Sequence, residues 1–489
     1  MDQTVGDPRA TFRYIDLFAG IGGFAAALEG FGGECVYSVE IDEAAAQVYE
    51  RNWGHSPLGD ITRDSNDVVM NVPAHDLLAA GFPCQPFSKS GAQRGMDEAR
   101  GTLFWNIMKI IQAHHPTMVL LENVRNLAGP RHRHEWDVII ASLRDEGYRV
   151  SEQPAVFSPH LLPLELGGRP QVRERVFISA TFDPDGVLDG VPALPPLPNL
   201  TLRGPEEWDL IADLPVDLDF HADSIQLSSN EVEWIDAWED FVVTMWKHIQ
   251  RATPEGARAA LPGFPIWADH WVKVEDLDGW IAGGPTPYRP VAALPSTWVE
   301  VPRWKQNFLR KNAAFYTRFK AQLDLWKVRH DIERFPASRR KLEWQAQDAA
   351  RLWDCVLQFR PSGIRAKRLT HLPALVAITQ TSIIGPLRRR LSTREAARLQ
   401  GLPDNFDFGT QSDAATYRQL GNGVSVGVVW NILRAHANRD AAILRTTDVG
   451  RVLLQALVDD APKSPDDVLE SAVVAGQRRF EESMLPVAV

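Results

Sequence analysis

The chain has 489 residues, of which 44% are hydrophobic and 24% charged, with a formal net charge of −11. That length suits two or three domains with cores of their own, and the composition excludes wholesale disorder. The polar start Met1 to Arg13 and the lack of any apolar run of about eighteen residues argue against a secreted or membrane-spanning chain, so a cytoplasmic protein is expected.

Over the first 180 residues short apolar runs alternate with helical patterns, which predicts βαβ units and a mostly parallel sheet. YIDLF (Tyr14 to Phe18) reads as a strand, followed by a Gly-rich turn and a helix from about Gly22. Cys35 to Ile41 is the next strand and Asp42 to Asn52 the next helix. Asp76 to Gly81 is a third strand, running into the loop GFPCQPFS (Gly81 to Ser88). Thr117 to Val124 is nearly all apolar, as a strand buried on both faces should be, and Arg175 to Thr181 is another.

Near residue 183 the texture changes to a Pro/Gly-rich linker, Asp183 to Leu200. Twelve of the sixteen tryptophans then fall between residues 200 and 355, most of them expected in a core. From Leu391 the α/β texture returns. LSTREAARLQGLP has a Ser/Thr cap region and a helix ended by Gly401 and Pro403, and Gly421 to Asn438 reads as a turn and a helix. The acidic stretch Asp459 to Asp467 reads as a solvated linker. The simplest layout is a sheet domain built from residues 1–198 and 386–489, interrupted by an insertion at 199–385.

Net negative charge alone argues against a nucleic-acid partner, but binding responds to the local face. Pro302 to Lys320 holds Arg303, Lys305, Arg310, Lys311, Arg318 and Lys320 with no acid. Ser338 to Lys341, the group Arg365, Lys367 and Arg368, and Arg388 to Arg390 follow, whereas Pro205 to Asp240 is acidic without Lys or Arg. Solvated faces and a segregated binding face both fit. The three cysteines, Cys35, Cys84 and Cys355, form neither a disulfide framework nor a CxxC metal site, which favours a reducing interior and no metal.

Several short stretches carry chemistry. Asp16 to Phe24 joins strand to helix through Gly20, Gly22 and Gly23, and Glu40 ends the second strand about twenty residues on. A carboxylate there suits the two hydroxyls of a ribose, so an adenosine cofactor and a plain tight turn both remain open. Asp60 could meet an adenine amino group or cap a turn. Cys84 sits between Pro83 and Pro86 at the carboxyl edge of the sheet, where open α/β folds bind ligands, although a nucleophilic thiol also needs a nearby activating charge or base. Glu122 ends the most apolar strand, where burial should raise its pKa; a cap or structural ion pair is the alternative. QVRER (Gln171 to Arg175) places Arg173 and Arg175 on one face of a strand, as its two-residue period demands, for anion or base contacts or for salt bridges.

Taken in this order, the set resembles the DNA (cytosine-5) methyltransferases of bacterial restriction-modification or defence type. DLFAGIGGF, GFPCQPFS, RGTLF (Arg100 to Phe104), LENV, PQVRERVF, RLSTREAARLQGLPDNF and GNGVSV are similar to that family's blocks and spread over both chain ends. The resemblance implies an α/β, Rossmann-like S-adenosylmethionine-dependent domain with a smaller inserted target recognition domain. It implies that Cys84 attacks carbon 6 of a flipped cytosine, that Glu122 hydrogen-bonds ring nitrogen 3, and that Arg175 and Arg173 hold the base oxygen and backbone. It places Asp16, Phe18, Gly20, Gly22, Gly23, Glu40, Ile41, Asp60, Ile61, Pro83, Asn422 and Val424 around the cofactor, and Gln85 and Ser88 in a loop closing on DNA. Phosphate contacts fall to Arg303, Lys305, Arg310, Lys311, Arg365, Lys367 and Arg368, with the Ser338 to Lys341 run beside them. The expected partners are double-stranded DNA and a cognate restriction or defence complex, with the chain itself a monomer. Phe157 to Pro170 departs from the family pattern, being longer than usual and without an Asn. A tRNA cytosine methyltransferase and a non-catalytic DNA-binding homologue are the rival readings.

Overall fold

Strand β1 (Arg13–Leu17) lies between β2 (Glu34–Val39) and β3 (Leu77–Gly81), and β4 (Met118–Val124) lies beyond β3, all four parallel. The computed structural model describes residues 11–83, 102–196, 202–217, 222–255, 259–281, 301–346, 349–375 and 381–485. The chain folds as two compact units, one of residues 1–216, 373–379 and 393–489 and the other of 217–372 and 380–392. The corresponding expectations were divisions after 198 and 385. The acidic residues 205–216 fall in the first unit, where Trp208 is buried and its indole donates to the His160 carbonyl at 2.8 Å.

Beyond β4, the first unit's sheet continues with β8 (Arg175–Phe182), on which β5 (Tyr148–Val150) and β6 (Ala155–Phe157) pair, while the two-residue β7 (Gln171–Val172) stands outside it. The order is β2-β1-β3-β4-β8-β5. β8 runs antiparallel to β4, and β5 and β6 run antiparallel to β8, so the expected mostly parallel sheet is parallel only over its first four strands. For β6 and β8 the reason is the connection: antiparallel neighbours need no helical crossover, and residues 158–170 between them supply only short 3-10 turns.

The apolar run of β4 has the predicted consequence. Met118, Val119, Leu120 and Leu121 are fully buried, joined by Ile107, Ile110, Ile111, Ile139 and Leu143 from the helices Leu103–His114 and Arg133–Asp145. Each such side chain stabilises the fold by roughly 1.5–3 kcal/mol. Because the chain steps from β1 out to β2 and then back across to β3, a crevice opens at the carboxyl ends of these strands, where open α/β sheets take ligands.

Two helices frame that crevice. α1 (Gly23–Gly30) starts from Gly22, whose φ of 91° is left-handed and suits glycine. α2 (Glu43–Trp53) is capped by Asp42, which accepts the Ala45 N–H at 3.0 Å. At the other end of the chain, the four acids of Asp459 to Asp467 are exposed, as a solvated linker requires, but the stretch is anchored at its centre. Ser464 and Asp467 form a capping box, Ser464 and Pro465 are buried, and Asp466 pairs with Arg169 at 2.6 Å. A helix, Leu469–Met484, follows.

The second unit packs helices Ser229–Ala252 and Arg303–His330 with a six-stranded sheet that includes Lys341–Gln345, Val356–Arg360 and Gly363–Lys367. Trp238, Trp271, Trp326, Trp344 and Trp353 are core residues, as expected, with Trp238 and Trp326 rings 4.8 Å apart; Trp304 is exposed.

Candidate active site

The crevice holds a cavity of about 510 Å³ lined wholly by the first unit. Phe18, Gly20, Gly23, Glu40, Ile41, Asp60, Ile61, Pro83, Glu122, Arg175, Asn422 and Val424 line it, so residues drawn from both ends of the sequence meet in one place. The Glu40 carboxylate is fixed by backbone amides. Its Oε2 accepts the Gly20 N–H and its Oε1 the Asp42 N–H, both at 2.8 Å. Each oxygen keeps lone pairs for a pair of hydroxyls. Phe18 carries a φ of 59°, and Ile41, 75% exposed, offers bare apolar surface at the rim. Asp60 does cap the short helix Ile61–Asp64, accepting from Thr62, and hydrogen bonds from the Thr62 hydroxyl and amide hold its carboxyl below the usual range.

Gly23 shows why this turn tolerates no side chain: a Cβ there would stand 2.8 Å from Val424 Cγ1. Asp16 and Gly22, by contrast, are not among the cavity-lining residues. Asp16 is buried beneath the turn and accepts the Ala25 N–H at 3.3 Å; burial raises its pKa to about 8, against that hydrogen bond and with help from Glu40. Gly22 faces Trp53 instead, whose indole nitrogen would lie 2.0 Å from an added Cβ.

At the far wall Gly81 of β3 and Glu122 of β4 are in register, and Arg175 starts β8 opposite Val124. Arg175 Nε stands 3.0 Å from Glu122 Oε1. Burial raises the Glu122 pKa, while Arg175 and then Arg173 oppose the shift. Asn123, which sequence reading passed over, donates to the Phe82 carbonyl at 2.8 Å and so fixes where the chain leaves the sheet toward residue 84. Its only signal was an amide following the acid at a strand's end.

Arg173 departs from expectation. It lies between β7 and β8 rather than on a strand beside Arg175, and it is buried at 2% exposure. Its guanidinium donates to the carbonyls of Leu375 at 3.0 Å, Gly421 at 2.9 Å and Gly423. Burial pulls its pKa down to about 9, with Arg175 adding to the fall, which leaves it charged at neutral pH. Its two Nη groups are thus committed to backbone, at Leu375 and in the turn 421–423.

Cys84, Gln85 and Ser88 lie outside the described residues. Of the other two thiols, burial pushes Cys35, helped by Asp16, and Cys355 each up to about 12, which holds both protonated at neutral pH. In the second unit Arg303, Arg310 and Lys311 are exposed on one helix, and Lys305 is half-buried. Burial and the neighbouring Lys341 lower the Lys305 pKa. Lys367 and Arg368 are half-buried. Arg365 is paired with Glu343 at 2.7 Å. Within the Ser338 to Lys341 run, Arg339 lies over the Phe359 ring at 4.5 Å and Arg340 bridges Asp269 and the Phe335 and Glu333 carbonyls.

The sequence profile of C-5 cytosine-specific DNA methylases matches residues 12–438, which contain every wall of this cavity. The chain belongs to that family. It is a DNA (cytosine-5) methyltransferase, of a family that uses S-adenosylmethionine. The type II methyltransferase M.AluI of Cellulosimicrobium cellulans is 49% identical over 523 aligned positions, covering 95% of this chain and 99% of that one. The type II methyltransferase M.HhaI of Haemophilus parahaemolyticus is 43% identical over 166 residues, 34% of this chain and 48% of its own. Among solved structures, a DNMT2 of Spodoptera frugiperda aligns over 87% of the chain and 99% of its own at 15% identity, with a TM-score of 0.42. No helix among the methylase's described residues is long and apolar enough to cross a membrane.

Proposed function

We propose that this methylase is the protecting half of a type II restriction-modification pair, that its cavity binds S-adenosylmethionine, and that Cys84 attacks the target cytosine in duplex DNA. The observation that supports it most is the convergence of Glu40, Glu122, Arg175 and Pro83 on one cavity at the sheet's carboxyl edge. The cavity suits the cofactor's chemistry: a carboxylate for ribose hydroxyls, apolar Phe18 and Ile41 for an adenine face, and a volume in the range of small-molecule sites. The bound cofactor supplies an electrophilic methyl on sulfur.

The residues of the chain do the rest. Asn123 anchors Phe82 and Pro83 lines the cavity, and we assign the attacking thiolate to the residue that follows, Cys84. The thiolate adds to carbon 6, and a proton held by the buried Glu122 carboxyl is donated to ring nitrogen 3, so negative charge does not accumulate on the ring. The Arg175 guanidinium, 3.0 Å from Glu122, orients that carboxyl and faces the same cavity. Carbon 5, now enamine-like, takes the methyl group. A base then removes the carbon 5 proton, the carbon 6–sulfur bond breaks, and ring nitrogen 3 returns its proton to Glu122, which regenerates the thiolate and releases neutral 5-methylcytosine. Outside the duplex stack the ring is open to attack, so the base is flipped. Arg303, Arg310 and Lys311, exposed along one helix, are the phosphate contacts we assign to the second unit, which we take as the target recognition domain.

Tritiated S-adenosylmethionine incubated with unmethylated duplex should label the DNA, and the product should resist the matching endonuclease. Cys84→Ser should abolish labelling. Label that survives the substitution, or that goes to tRNA in preference to duplex, would refute the assignment.

A further inference from the structure

The helix Leu469–Met484 lies beyond residue 438, where the family match ends, yet it packs on the two helices that frame the cavity. Arg479 donates through Nε and Nη2 to the Trp53 carbonyl at 3.3 and 3.2 Å, and through Nη2 to Glu29 Oε2 at 3.0 Å. One guanidinium thus ties the end of α2 to the last turn of α1. Gln477 donates to Asn52 Oδ1 at 3.2 Å and to the Asn405 carbonyl at 2.8 Å. Gly476 lets the helix approach so closely that an added Cβ would stand 1.9 Å from the Asn52 carbonyl oxygen.

What this grip controls is Trp53. The ring is fully buried, and its indole N–H donates to the Ile21 carbonyl at 3.2 Å, inside the turn between Gly20 and Gly23. Trp53 also covers Gly22, so the turn's conformation and the ring's position determine each other. The other end of α2 reaches the same turn, because Glu40 accepts both the Asp42 and Gly20 amides. α2 therefore spans from the cavity's carboxylate to the cavity's glycine turn, and the C-terminal helix holds its far end.

We propose that Arg479 is a positioning residue for the cofactor site, acting through Trp53 to set the Gly20–Gly23 turn. The inference rests on the reading that this cavity takes S-adenosylmethionine. A carbonyl left without its donors at the end of α2 allows that end to shift, and a shift reaches the turn through one hydrogen bond.

The test is a double-mutant cycle on the full-length chain, with dissociation constants for S-adenosylmethionine and for duplex DNA measured by calorimetry, alongside melting temperatures. Arg479→Ala should weaken cofactor binding about fivefold, the scale of one hydrogen bond, and leave the DNA constant unchanged. Arg479→Lys, which keeps a donor and a charge, should recover part of the loss. Trp53→Phe, which removes the N–H and keeps a ring, should weaken cofactor binding similarly, and the double variant should be no worse than either single one. Additive losses, or an Arg479→Ala chain that melts earlier yet binds cofactor like wild type, would overturn the proposal. Should Arg479→Ala not fold, Gln477→Ala and Arg479→Lys carry the same comparison. Failure of the wild-type chain to bind S-adenosylmethionine would overturn both this inference and the reading beneath it.

Discussion

Replacing Arg173 with methionine tests whether this residue reads the substrate or builds the site. Methionine keeps much of the side chain's length and apolar stem but removes the charge and every donor. Three carbonyl oxygens, those of Leu375, Gly421 and Gly423, then lose their partner inside the protein. Hydrogen bonds to a charged group contribute roughly 1.5–3 kcal/mol each, but three from one guanidinium are not additive, and the variant escapes the cost of burying a cation. A net loss of about 3 kcal/mol is expected, enough to lower the melting temperature by roughly 5 °C or more. Because Gly421, Asn422 and Gly423 line the cavity, cofactor binding should weaken in parallel, while DNA affinity without cofactor should not change. Melting curves with and without S-adenosylmethionine, and DNA binding by fluorescence anisotropy, measure all three quantities. A variant that melts like wild type but has lost DNA affinity or turnover would show that Arg173 contacts the substrate.

Glu122→Gln should lower kcat roughly a hundredfold with little change in the KM for the cofactor, since an amide can donate but cannot supply a proton. Because burial raises the Glu122 pKa, wild-type activity that depends on the neutral acid falls as pH rises through that raised value. The glutamine variant should lack this limb, and an unchanged pH–rate profile would count against the role. Asp16, with its pKa raised to about 8, favours the folded state while neutral. Its contribution is fully present below the ordinary carboxylate pKa and is lost as pH rises through about 8. Asp16→Asn should therefore melt closer to wild type at pH 6 than at pH 9, where it should be the more stable of the two; equal slopes of melting temperature against pH would refute this.

Much of this protein was legible in the sequence because local physics decided it. Strands β1 to β4 follow from apolar runs too short for helices, α2 from the Asp42 cap, and the glycine turn from positions where a side chain has no room. The residues of the cavity wall could be listed from their blocks, although their meeting is a matter of chain topology. The role of an arginine could not be read in the same way. Arg173 and Arg175 stand two apart and look equivalent, yet β8 begins only at Arg175, so one guanidinium enters the cavity and the other is sealed against carbonyls contributed some two hundred residues later. Likewise the runs around Arg339 and Arg365 read as free positive charge until Glu343, Asp269 and aromatic rings closed on them. Charge and periodicity are properties of a segment and can be read along it. Partners of buried polar groups come from distant segments brought together by folding, and for that reason the stretch before Leu469 is anchored at Ser464 and Arg169 and the helix after it meets Asn52 and Trp53.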